Sequence, residues 1–202
     1  MLKASTLFTD MEKRIKKIKT KYMGRQVRNE RTDPVNYTFD RLNTAAYRLL
    51  VHAELEGYIE AKASEILALI KNDVVTKGYA TAYLKNILAI ACHLDEVVAI
   101  EKPYDEQDFI RSVLALIAKA EKKVKDNNGI KKNSFKMLAL FSGYDVNAID
   151  AMLLSNLNTY GVGRGSVAHN GVGHVSNFLS PSSEVTEVET IVRLLRMHYY
   201  GF

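Results

Sequence analysis

Apolar residues recur at three- and four-residue steps along most of this chain, the spacing of amphipathic helices rather than of strands. Phe8, Met11, Ile15, Ile18 and Tyr22 define a first helix, capped by Ser5 or Thr6 and ended near Met23 by Gly24. Residues 25–36 lack that period and contain Thr32-Asp33-Pro34, so they read as a connecting loop. A second, long helix begins near Tyr37. Between residues 40 and 71 it carries no proline, and Leu42, Ala46, Leu49, Leu50, Ala53, Ala61, Ile66 and Leu67 supply its apolar stripe. Gly57 inside it costs about 1 kcal/mol relative to alanine, which implies that another helix or a ligand approaches its backbone, with close helix packing the first expectation.

Thr76 caps a third predicted helix running to about Val98, with Tyr79, Tyr83, Leu84, Ile87, Leu88, Ile90 and Ala91 spread widely around it. Pro103 breaks the chain. A fourth helix follows, with Asp105, Glu106 and Asp108 in its first turn and Lys119, Lys122, Lys123 and Lys125 towards its end, the order the helix dipole favours. Asn127-Asn128-Gly129 ends it. Ser134 opens a shorter helix to Phe141, Gly143 turns the chain, and Asp145 or Asn147 caps a helix with Ile149, Leu153, Leu157 and Tyr160 on one side. Gly161 closes that helix, and a glycine-rich stretch to Gly173 follows it. The last helix covers residues 183–199. An alternative for the glycine-rich stretch is a small β-hairpin built on Val162, Val167, Val172 and Val175. The pattern as a whole predicts an all-α bundle with an up-and-down core and additional helices, forming one domain over residues 1–202. A basic helix and loop (1–36) precede its core (37–202).

Composition changes this picture in two ways. The single Cys92 makes no intrachain disulfide, and neither a membrane-spanning run nor the apolar stretch of a signal peptide is present, so the default location is the cytoplasm. The formal net charge is +5, concentrated near the N-terminus. Lys13, Lys16, Lys17, Arg25 and Arg28 belong to a basic segment that can track the phosphates of an RNA, lie on an anionic membrane, or simply keep a helix hydrated.

The candidate chemistry lies in Arg164-Gly165-Ser166-Val167-Ala168-His169-Asn170. Arginine offers a permanent cation with a planar donor fork for phosphate oxygens, and histidine exchanges a proton near neutral pH. RNA carries its own nucleophile, the 2′-hydroxyl. His169 would move protons, Arg164 would stabilise charge on the phosphate, and no metal or other cofactor is called for. On a straight helix these two residues project about 140° apart, so a groove shared by two chains would be needed to aim both at one phosphate.

The same run, preceded by an amphipathic helix, resembles the Arg-x4-6-His motif of the HEPN superfamily of all-helical ribonucleases and nucleotide-binding proteins. Leu49-Leu50-Val51-His52-Ala53-Glu54-Leu55-Glu56-Gly57-Tyr58 is similar to an apolar-then-Glu-Gly-aromatic signature of that superfamily, most of all in its RiboL-PSP-type branch. The resemblance implies a homodimer with a composite site, metal-independent endoribonuclease activity, and a role as a toxin or antiphage effector with an antitoxin or defence-system partner. It carries Arg164 and His169 over as catalytic, with Glu56 orienting His169 or Arg164, Tyr58 touching RNA, and Asn170 holding the imidazole or capping a turn. Gly165 departs from the family, where a polar residue often follows the arginine. A catalytically silent nucleotide- or protein-binding module, or a helical adaptor acting through the basic segment, are the alternatives.

Overall fold

In a computed structural model the described residues are 4–78, 81–94, 105–170, 172–174 and 178–201. They form eight α-helices and two short 3-10 turns, with no strand among the described residues, as the periodicity predicts. They divide into two compact units, one made of residues 1–58, 129–132 and 149–202, the other of residues 59–128 and 133–148.

In the first unit, α1 (Thr6–Tyr22) starts where Ser5 Oγ accepts the Phe8 N–H at 3.2 Å, and it buries Phe8, Met11 and Ile15. The segment predicted as a loop is instead largely helical, forming α2 (Gly24–Thr32). The buried Gln26 explains the difference. Its Nε2 donates to Thr44 Oγ1 at 3.3 Å and its Oε1 accepts the Asp40 N–H at 2.9 Å. One satisfied amide anchors this helix, so no apolar period announces it.

The long helix α3 (Arg41–Lys77) begins where Asp40 accepts the Asn43 N–H at 2.9 Å. Its predicted stripe is largely the wrong face: Leu42, Leu49 and Leu50 are 69%, 36% and 41% exposed, while Ala45, Tyr47, Val51, Leu55 and Tyr58 are buried. The buried side also contains Thr44, Arg48 and His52. Hydrophobicity alone misreads the helix because two of these polar groups find partners on other elements, Thr44 with Gln26 and Arg48 with Glu184. Gly57 is exposed, and nothing among the described residues lies within 4 Å of where its Cβ would stand, so close packing does not account for it.

Helix α7 (Ala151–Asn170) opens on Asp150, which accepts the Met152 N–H at 2.6 Å. It does not stop at Gly161 but continues through Arg164 and His169. Val162 and Val167 therefore lie in a helix and Val172 in a 3-10 turn rather than a hairpin, and Val175 lies outside the described residues. Helix α8 (Pro181–Tyr200) has Ser180 as its cap, proline at its first position, and Gly201 at φ 77° just beyond its end. Contacts set the directions of these helices. Lys19 meets Glu189 at 2.9 Å and Ser5 meets Tyr200 at 2.6 Å, so α1 and α8 are antiparallel. Ala45 packs with Val167 and Tyr160 reaches the Arg48 carbonyl, so α3 and α7 are antiparallel too.

In the second unit, the rest of α3 packs with α4 (Leu84–His93), α5 (Glu106–Lys125) and α6 (Lys132–Phe141), burying residues such as Leu67, Ile70, Ile90, Ile117, Phe135 and Leu138. Thr76 is not a cap; it lies within α3, and its hydroxyl donates back to the Asn72 carbonyl at 2.8 Å. The predicted third helix shortens to α4, with a 3-10 turn at Thr81–Tyr83 before it. Tyr79, Val98 and Pro103 lie outside the described residues. Helix α5 follows its prediction closely, Asp105 accepting the Asp108 N–H at 2.7 Å. No helix among the described residues is long and apolar enough to cross a membrane.

Candidate functional site

Two glycines let α7 approach its neighbours. A Cβ at Gly163 would stand 3.0 Å from Arg48 Nη1, and one at Gly161 would stand 2.9 Å from Lys131 Cγ. Gly161, which reads as a helix stop in sequence, and Gly163 after it are contact points within a helix. Beneath them the guanidinium of Arg48, 3% exposed, pairs with the fully buried Glu184, which also accepts the Leu179 N–H at 2.9 Å. The Phe178 ring lies 5.0 Å from Arg48 Cζ. Removing one partner of such a pair strands a buried charge at a cost of about 3–5 kcal/mol. This pair fixes the start of α8 against α3 under the candidate site.

Arg164 is half-buried on α7 and His169 is exposed five residues later. Neither forms a hydrogen bond or ion pair among the described residues, so both heads are uncommitted. Because the helix is continuous between them, they diverge by about 140° and are offset by roughly 7.5 Å along the axis. Within one chain they do not converge.

Glu56 is the expected supporting residue whose surroundings tie it to Arg164. Its carboxylate accepts the Gly129 N–H and lies 3.5 Å from Nδ1 of the buried His52. That separation is long for a hydrogen bond, and Nδ1 has no better partner among the described residues, so the contact works mainly through the charge and the N–H dipole. The Glu56 carboxyl is held below its ordinary value of 4.5, by His52 foremost, then by the Gly129 N–H and the charge of Arg164, against the opposing effect of burial. Gly129 has φ 115°, a left-handed conformation that favours glycine. A Cβ there would come within 4.0 Å of His52 Nε2. The imidazole is also stacked on Tyr160, with centroids 6.4 Å apart and planes 14° from parallel. In sequence His52 lacks a companion pattern and reads as structural; its place four residues before Glu56 on one helix face is the signal that links the two.

Two other expected residues stand differently. Tyr58 is 2% exposed, its ring packed edge-on against Phe8 and Tyr199 and its hydroxyl 3.2 Å from that of Tyr200. It is a core residue and cannot touch RNA while the core is closed. Asn170 is exposed, and its amide donates one turn back to Ser166 Oγ at 3.4 Å instead of holding the imidazole. On α1 and α2, Lys13, Lys16, Lys17, Arg25 and Arg28 are all exposed, Lys13 paired at 3.1 Å with Asp10. The basic segment is thus a solvent-facing surface on two helices instead of a helix and a loop. No family model, curated protein or solved structure matches the chain.

Proposed function

We propose that the protein is a metal-independent endoribonuclease of HEPN type, acting as a homodimer, with a toxin or antiphage role alongside an antitoxin or defence-system partner. The observation that carries this reading is the presence on α7 of two side chains with no hydrogen bond or ion pair among the described residues: a half-buried arginine whose charge helps hold the Glu56 carboxyl down, and an exposed histidine. A guanidinium without an ion pair keeps its donors free for a phosphate oxygen, while an exposed imidazole is available to shuttle protons.

Their divergence on one helix makes the second copy part of the catalyst. Leu42, Leu49 and Leu50 give α3 an exposed apolar strip, and Val162 on α7 is 50% exposed. Apolar surface of this kind is the chemistry of a homodimer face. In a two-fold pair, His169 of one protomer and Arg164 of its partner would flank one scissile phosphate. His169 takes the 2′-hydroxyl proton and returns one to the leaving 5′-oxygen, and Arg164 stabilises the charge on the non-bridging oxygens. The exposed cations of α1 and α2 would hold the RNA backbone.

The test is incubation of the purified protein with total RNA in EDTA. Wild type is expected to leave 2′,3′-cyclic phosphate ends, His169→Ala to lose about 100-fold or more of that activity, and an all-deoxy substrate to resist. Absence of cleavage by wild type defeats the assignment and favours the binding module, the reading to which Gly165 lends support.

A further inference from the structure

A second site lies away from α7, in the groove between α1 and α8. It is a cavity of about 560 Å³ lined wholly by residues of the first unit, within the size range of small-molecule pockets. Ile15, Val188 and Val192 form its apolar walls, and the fully buried Tyr47 adds to them. Its rim is charged, and the pairing there is uneven. Lys19 is paired with Glu189 at 2.9 Å and Arg196 is paired with Glu12. Lys16 and Arg193 also line the groove, both exposed, and neither meets a carboxylate among the described residues. Arg193 Nη1 donates to the sulfur of Met197 at 3.5 Å.

We propose that this groove binds a free amphipathic carboxylate, an acyl-type chain seated on Ile15, Val188 and Val192 with its head group between Lys16 and Arg193. The apolar walls supply binding through removal of the chain from water, and the two unmatched cations supply selection for an anion. Glu12 and Glu189, already paired at the rim, limit the negative charge a head group can bring, which favours one carboxylate over a phosphate dianion. The site is independent of the nuclease reading, since it shares neither Arg164 nor His169.

The experiment is displacement of the fluorescent probe 1-anilinonaphthalene-8-sulfonate from the full chain by dodecanoate, dodecyl phosphate, dodecanol and dodecyltrimethylammonium. Dodecanoate is expected to compete about tenfold or more better than dodecanol, the loss of one charge-assisted contact, and better than dodecyl phosphate. Arg193→Glu should weaken dodecanoate about tenfold while leaving dodecanol unchanged, and Val192→Trp, which fills the groove, should weaken both. Equal competition by dodecanol or by the cationic amphiphile overturns the proposal. So does unchanged dodecanoate affinity in Arg193→Glu, an exposed-site variant that keeps the fold if Val192→Trp does not. Binding only to anionic phospholipid vesicles, with none to monomeric dodecanoate, would make the surface a membrane contact and likewise overturn it.

Discussion

Tyr47 shows how an individual side chain can work against the fold that contains it. The residue is fully buried, yet its hydroxyl has no hydrogen-bond partner among the described residues, and burial together with Glu189, Glu184 and Glu187 pushes its ionisation well above the ordinary value. A buried donor without an acceptor loses its water and gains nothing in return, so Tyr47→Phe is expected to stabilise the protein by up to about 1 kcal/mol in urea unfolding. Glu56 is the opposite case. Its folded value lies below 4.5, so folding favours the ionised form, and the stabilisation is present above pH 4.5 and lost as pH falls through the folded value. Glu56→Gln should therefore lower the thermal midpoint at pH 7, with the gap to wild type closing below pH 4.5. A gap that stays constant across that range would mean the carboxylate contributes by shape alone.

Among the elements, α7 separates the two uses of glycine. Gly163 stands where a methyl group would press on the buried Arg48 guanidinium, whereas Gly165 has no atom among the described residues within 4 Å of its missing Cβ. Gly165→Ala is expected to stabilise by about 1 kcal/mol through helix propensity, and Gly163→Ala to destabilise by about 1–3 kcal/mol through overpacking, both read by chemical denaturation. Reversal of the two signs would show that α7 does not run unbroken through this segment. In the sequence Gly163 and Gly165 look alike, both part of a glycine-rich stretch beyond a helix end at Gly161, because their effect depends on what lies across from them. The failure at α2 has the same origin: what stabilises that helix is an amide buried against Thr44 and the Asp40 N–H, and neither partner lies in its own segment.

For the whole molecule, the consequence concerns copy number. Leu42, Leu49 and Leu50 are exposed on α3, and the proposed catalyst is incomplete in one chain. On that reading sedimentation equilibrium should return a dimer for wild type and a monomer for Leu49→Glu with Leu50→Glu. RNA cleavage should fall with dimer content, and mixing Arg164→Ala with His169→Ala protein should restore part of it. A wild-type monomer with full cleavage activity would refute the composite site.

Local periodicity and capping chemistry were enough to predict an all-α protein and the starts of α1 and α5, while residue chemistry nominated Arg164 and His169 as a candidate pair. Those features depend on residues within a few positions of one another, and chain order displays them directly. The buried face of α3, the partnership of Glu56 with His52 and Gly129, and the withdrawal of Tyr58 into the core were decided by tertiary structure. Each depends on whether a polar group finds its partner, or a glycine its neighbour, across a distance in sequence that no local period records.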